Sequence, residues 1–595
     1  MNNMRGQKMS TRTFNKPKNK KKTLKRLGYY ISEFKGWFIL AITLTIISNL
    51  FSLVGPLLSG YAIEAIEPGA HKVEFDKVYF YAGLMIVFYL ASTILNFILT
   101  FLMVKISKKI VYKLRKDCFD SLMMLPVAYF DHNLSGDIIS RMSYDIDTVN
   151  TSLSSDIVHI CTAAITVVGS FIMMLVISPL LTLIMVVTIP ISLFFTRFML
   201  KRTHKLFKKR SVSLGTLNGY VEEMISGSKT IKAYGVENNI IEGFNKENEE
   251  AVDAAYKAEY YGSITGPGVN FVNNLSLALI CALGSILYIF SKIGLRKISS
   301  FVLYSRKFSG PINEVANIFV DIQSALAAAE RVFDLIDEEK ETEDVENALM
   351  LDKVEGNVKF KNVQFGYLEN QVIINDLSFE ALAGKTIAIV GPTGAGKTTI
   401  VNLLMRFYDV SKGDITLDNN SIYQIMRKCV RSSYAMVLQD TWLFEGSVYD
   451  NIAYGMDGVT LDEVKKATKA AHIHNFIESL PNGYDTIITE DGINISKGQK
   501  QLLTIARAML LNANMLILDE ATSNVDTRTE IKIQQAMETL MKGKTCFIIA
   551  HRLSTIQNAD LILVVNNGNI IEKGTHKELL LKKGFYYDLY NSQFD

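Results

Sequence analysis

Five stretches of this chain, residues 37–63, 78–104, 157–177, 180–196 and 269–290, contain no Asp, Glu, Lys or Arg. Wound as α-helices at about 1.5 Å per residue, such runs are suited to crossing roughly 30 Å of hydrocarbon. Soluble cores seldom supply so many, so the first half of the chain reads as embedded in a membrane. A sixth run, 298–320, carries Arg306, Lys307 and Glu314 and is weaker by hydropathy. Counting it, the expectation is six membrane helices at about 37–63, 78–104, 157–177, 180–200, 268–290 and 298–328.

Basic residues orient the bundle, because loops retained on the cytoplasmic side keep an excess of Lys and Arg. Residues 1–26 hold ten and no acid, 105–156 hold seven, 197–265 hold eleven, and 64–77 only two. Both termini are therefore expected in the cytoplasm. The short 291–297 loop, with Lys292, Arg296 and Lys297, runs against the rule. The Lys-rich start lacks an amphipathic face or a signal-peptide core and reads as a cytoplasmic arm, residues 1–28. The polar segments on either side of 130–137 and 227–237 keep a helical pattern, so four membrane helices are expected to extend into the cytoplasm. They would turn where Gly, Asn and Asp interrupt the period.

The charge balance of +3 over 595 residues leaves no basis for a general nucleic-acid binder. Cys118, Cys161, Cys281, Cys429 and Cys546 are too scattered for a metal site or a disulfide framework and read as small apolar residues. After an acidic linker, residues 331–352, short apolar strands alternate with helices. The segment 353–595 is therefore expected to be an α/β domain with a mainly parallel core sheet, following the membrane domain of 29–330.

Within it, the apolar strand 386–390 runs into Gly391, Pro392, Thr393, Gly394, Ala395, Gly396, Lys397 and Thr398, satisfying G-x-x-x-x-G-K-[ST] in its strand-loop-helix context. Backbone N–H groups of such a loop wrap phosphates, Lys397 reaches the terminal ones and the Thr398 hydroxyl binds Mg²⁺; Thr399 follows in the helix. A second apolar strand, 515–518, ends in Asp519 and Glu520. Beside a phosphate loop, Asp519 is placed to hold Mg²⁺ and Glu520 to polarise an attacking water. A third strand ends in His551, a candidate γ-phosphate contact.

The order of these motifs resembles the ATP-binding cassette (ABC) transporters, in particular exporter halves that join six membrane helices to one α/β P-loop ATPase domain. The resemblance covers residues 29–595. It identifies Tyr367 in FGY with the aromatic that stacks on adenine, and Gln439 in VLQD with the glutamine that joins Mg²⁺ and water to the membrane domain. It identifies Ser523-Asn-Val-Asp526 with the D-loop, and Ser496, Gly498 and Gln499 with the signature ahead of a helix. The resemblance implies ATP and Mg²⁺ as cofactors, a bilayer setting, a second half-transporter, and ATP sandwiched between the phosphate loop of one half and the signature of the other. It further implies alternating access of a central cavity to the two sides of the membrane.

The family's usual signature is LSGGQ, whereas this chain has Ile495-Ser-Lys-Gly-Gln499, with Lys497 in place of the first glycine. Either Lys497 points to solvent and the site works normally, or the chain resembles the half of a heterodimeric bacterial exporter that keeps its own catalytic Glu. In the second case the partner would be homologous but not identical. In the sixth helix Arg306, Asn313, Asn317 and Ser324 fall on one face and read either as cavity-lining or as pairing with neighbouring helices; Asn270, Asn273 and Asn274 could line the same space. The leading expectation is export of amphipathic drug-like or lipid compounds across a bacterial plasma membrane. A homodimeric lipid flippase and an ATP-gated sensor or channel regulator are the alternatives.

Overall fold

The computed structural model describes residues 19–66, 73–351, 353–368, 371–438, 441–489, 495–519, 526–549 and 556–594, without the side chains of 313–317 and 593–594. Two compact units emerge. One comprises Met1–Met124 with Asn133–Glu339, the other Leu125–His132 with Lys340–Asp595.

The first unit is helical: α1 (Lys20–Ser32), α2 (Lys35–Glu64), α3 (Phe75–Met123), α5 (Ser135–Ile177), α6 (Pro179–Ser226), α7 (Ser228–Tyr234), α8 (Glu237–Ile289) and α9 (Leu295–Ile336). The short α4 (Val127–His132) belongs to the second unit. Among the described residues, α2, α3, α5, α6 and α8 are long and apolar enough to cross a membrane. The 42-residue α9 is long enough but is not in that group. At 49, 48 and 53 residues, α3, α6 and α8 are each about 70–80 Å long, more than twice a bilayer core.

Local chemistry sets the breaks. Ser178 is extended and its hydroxyl accepts the Leu181 N–H at 3.4 Å, and Pro179 opens α6, whose first turn needs no proline N–H. Gly235 ends α7 with φ 62°, a left-handed position that glycine occupies without strain. These breaks at 227–235, and that at 133–134 before α5, fall where Gly and Asn interrupt the helical pattern. Within α5, Arg141–Asp145 and Ser152–Asp156 form π turns. Asp145 is buried at the first of these and accepts two hydrogen bonds from Arg331 of α9, at 2.8 and 2.6 Å. α9 thus continues past the expected end at 328, through Asp334, because Val332, Phe333 and Leu335 are buried.

The second unit is α/β. β3 (Thr386–Val390), β5 (Tyr434–Val437), β6 (Met515–Asp519), β7 (Thr545–Ile549), β8 (Leu561–Asn566) and β9 (Asn569–Gly574) form one sheet in the order β9-β8-β3-β7-β6-β5. All its pairs are parallel except β8–β9. Ile387–Val390 and Met515–Leu518 are buried, as expected of a parallel sheet covered on both faces. A separate antiparallel sheet contains β1 (Val358–Phe365), β2 (Ile374–Ala381) and β4 (Lys412–Leu417). At the start of this unit the acidic chain after α9 is gripped by arginines. Glu341 accepts from Arg427 at 3.1 Å and from Arg431 at 2.5 Å, and both Asp344 oxygens accept the Arg427 backbone N–H at 3.0 Å.

Candidate nucleotide site

β3 ends at Val390, and the chain turns through Gly391–Gly396 into α10 (Lys397–Leu404). A Cβ on Gly391 would stand 2.1 Å from the Val565 carbonyl oxygen, so this turn can approach β8 only without a side chain. Gly396 has φ 106° and no side chain caps α10. By contrast, Ser447, Thr460, Ser496, Asp526 and Thr575 each cap the helix they precede. An uncapped helix start behind a glycine loop leaves backbone N–H groups pointing at whatever anion lies in front, with the helix dipole adding attraction.

The Lys397 ammonium donates to the carbonyls of Gly391 at 2.7 Å and Pro392 at 3.0 Å, which curls the loop. Burial lowers the Lys397 pKa from its ordinary value, while the charge of Asp519 at the end of β6 acts to raise it. The ammonium, held here by neutral carbonyls, is a cationic donor of the kind that phosphate oxygens accept from. Thr398 is exposed on the first turn, whereas Thr399 is buried beneath it. Tyr367, half-buried after β1, donates its hydroxyl to Thr399 Oγ1 at 3.3 Å and accepts from Asn402 Nδ2 at 3.1 Å. Its ring meets Phe365 and Tyr408 edge-on, with centroids 5.0 and 4.9 Å away.

Ser496 stands before α11 (Lys497–Leu511). Its hydroxyl accepts the Gln499 N–H at 3.2 Å, and Gln499 Oε1 accepts the Ser496 N–H at 2.9 Å, a reciprocal capping box. Ser496 and Lys497 are exposed, Gly498 is buried, and Leu502, Leu503 and Ile505 fix the helix in the core. Asp526 caps α12 (Thr527–Met541) by accepting the Thr529 N–H at 2.9 Å, which holds its pKa below the ordinary carboxylate value. Gln439, Glu520 and His551 lie outside the described residues. The phosphate-loop residues, Tyr367 and Asp519 are thus described in the second unit, as are the signature residues Ser496, Gly498 and Gln499 and the D-loop's Asp526.

In the first unit Arg306, Asn270 and Asn274 are exposed, and Asn313 and Asn317 lie in α9 with side chains outside the description. A small cavity between α6, α8 and α9 is lined by Thr188, Ser192, Asn273, Ser276 and Ser309 among others. Sequence reasoning named Asn273 but missed the hydroxyls facing it, which are inconspicuous among apolar neighbours. It also treated Lys307 only as a blemish in hydropathy. Lys307 donates to the carbonyl and hydroxyl of Ser52 on α2, at 2.5 and 2.6 Å.

A parallel sheet with an open phosphate loop on β3 and a capped signature helix in the same unit defines a P-loop ATPase domain, here on a chain of membrane-length helices. The family model for the ABC transporter transmembrane region matches residues 38–312, and that for the ABC transporter matches residues 374–523. An uncharacterised ABC transporter ATP-binding protein of Bacillus subtilis (strain 168), YfiC, is 43% identical over 98% of this chain and 96% of its own length. A fatty acid ABC transporter ATP-binding/permease protein of Mycobacterium bovis is 42% identical over 90% of this chain and 84% of its own. The solved structure of a bacterial Atm1-family ABC exporter with ATP bound superposes with a TM-score of 0.76 at 28% identity, covering 94% of this chain and 98% of that one. The chain belongs to the ABC transporter family as an exporter-type half-transporter, which binds ATP and couples its hydrolysis to transport across a membrane.

Proposed function

We propose that this chain is one half of a heterodimeric exporter of amphipathic, drug-like or lipid compounds in a bacterial plasma membrane, with six membrane helices and both termini cytoplasmic. The observation that carries the heterodimer is Lys497, exposed at the first position of the signature helix where the family has glycine. A long cation there alters the surface offered to the phosphates of a facing subunit, while this chain's own phosphate loop is intact.

On this reading the hydrolytic site combines this chain's loop with the partner's regular signature. Tyr367 stacks on the base, the Gly391–Gly396 amides and Lys397 hold the phosphates, and Asp526 contacts the facing subunit. Thr398, Asp519 and Gln439 would hold Mg²⁺, which neutralises charge on the phosphate oxygens. The exposed Thr398 hydroxyl on the loop and the carboxylate of Asp519 are oxygen donors of the kind Mg²⁺ takes. Glu520 orients the attacking water and His551 contacts the terminal phosphate. Closure of the ATPase domains on ATP, passed along the long helices, switches the access of a cavity faced by Arg306, Asn313, Asn317, Asn270 and Asn274.

The chain purified from its native membrane is expected to bring a homologous subunit in equal amount, one lacking the Glu at the end of its own β6 equivalent. Glu520→Gln in that complex should nearly abolish ATP hydrolysis while ATP binding persists. Full, substrate-stimulated turnover by the chain alone would overturn the heterodimer. A second reading, a homodimer that flips lipids, draws support from the mycobacterial relative named for fatty acids. Alanine at Arg306 that leaves transport of every tested compound unchanged would remove that residue from the cavity.

A further inference from the structure

α2 runs helical from Lys35 to Glu64 through an internal, buried proline, Pro56. A proline has no backbone N–H, so the carbonyl one helical bond earlier, that of Ser52, loses the donor an α-helix would give it. In hydrocarbon no water replaces that donor, and a neighbouring helix has to supply one.

The donor comes from α9. Half-buried Lys307 gives one N–H to the Ser52 carbonyl at 2.5 Å and another to the Ser52 hydroxyl at 2.6 Å. One turn earlier, fully buried Tyr304 donates its hydroxyl to the next carbonyl of α2, that of Leu53, at 2.6 Å. The ring of Tyr89 on α3 lies 5.8 Å from the Lys307 ammonium. α2 admits Tyr89 at Gly55, where a Cβ would stand 2.0 Å from the Tyr89 hydroxyl.

A cation inside a membrane usually marks an ion path or a contact for an anionic ligand. The described partners of Lys307 are instead a carbonyl, a hydroxyl and an aromatic ring, with no carboxylate among them. The carbonyl is the very one that Pro56 strands. We propose that Lys307 is a positioning residue that replaces the missing N–H of Pro56: it keeps α2 helical through the proline and fixes that turn of α2 to α9. Its part in transport is then exerted through the place of α2, and recognition of the exported compound falls to other groups.

A double-mutant cycle in the full-length transporter, purified in detergent and followed by thermal unfolding, tests this. Lys307→Met keeps the side-chain length and removes the donor, and should lower the unfolding temperature by about 5 °C. Pro56→Ala returns an N–H to the Ser52 carbonyl, so in that background Lys307→Met should cost about 2 °C or less. Tyr304→Phe is the control. The Leu53 carbonyl has the Leu57 N–H as its chain donor whichever residue stands at 56, so the cost of Tyr304→Phe should be the same in both backgrounds. Should Lys307→Met fail to accumulate in the membrane, its yield with and without Pro56→Ala gives the same comparison. In lipid nanodiscs the double variant should hydrolyse ATP within about twofold of Pro56→Ala alone. An equal cost of Lys307→Met in the two backgrounds, or a rescue of Tyr304→Phe as complete as that of Lys307→Met, would overturn the assignment. So would stability regained in the double variant with hydrolysis still lost, since Lys307 would then act directly and not through α2.

Discussion

The phosphate loop and the signature segment are both helix starts in one ATPase unit, and they are built in opposite ways. The loop is backed by the buried β3, forced into place where Gly391 touches Val565, tied by Lys397 to its own carbonyls, and left without a side-chain cap. The signature helix is closed at its start by Ser496 and Gln499, yet Ser496 and Lys497 are exposed. The loop leads into a helix start that no side chain caps, with the Lys397 ammonium beside it. The signature is self-satisfied and stable without ligand, so its contribution must be made to something presented from outside.

That difference is sharpest at Lys397. Replacing it with Met removes charge-assisted hydrogen bonds to phosphate, each worth about 1.5–3 kcal/mol, and should weaken ATP binding by about a hundredfold. Isothermal titration calorimetry checks this, and a loss of less than tenfold would show that the backbone cradle alone suffices.

The loop was legible in the sequence because its requirements are local: an apolar strand, glycines where backbone must approach backbone, and a helix start without a cap. The signature was legible through its resemblance to the family's motif, and the α6 start through the charge-free run that begins at 180. What escaped were contacts across long separations. Ser52 and Lys307 meet from different helices, Tyr408 and Asp131 are remote in the chain, and Glu341 is gripped by Arg427 and Arg431. No period or motif marks such pairs. The acidic segment starting at Asp334 illustrates the limit: composition marks a linker, but apolar Val332, Phe333 and Leu335 bury and carry the helix to Ile336.

Lys397 also gives the cradle a pH dependence. Burial lowers its pKa in the ligand-free protein, and a bound triphosphate restores the preference for the charged form. Below the lowered value the lysine is charged with or without ligand, and affinity is flat. Above it, binding must take up a proton, so ATP affinity should fall as pH rises through the lowered value toward the ordinary lysine range. A rise in affinity over that interval would contradict the burial argument.

On the signature side, Ser496→Ala breaks the capping box and should destabilise the start of α11 by about 1 kcal/mol. Faster amide exchange confined to residues 497–501 would register it, with ATP affinity at this chain's own loop unchanged. Equal loss of affinity there would mean the two helix starts are coupled within one chain.

The smallest expected effect separates the two assemblies. In a heterodimer whose partner lacks the catalytic Glu, the site that receives Lys497 is limited by that missing base. Lys497→Gly should therefore change steady-state ATP turnover by less than about twofold, since a better phosphate contact cannot replace proton abstraction. In a homodimer every site contains both Lys497 and Glu520, and removing the cation from the phosphate-facing turn would change turnover at all of them. A several-fold change on Lys497→Gly would therefore place two copies of this chain across the nucleotide.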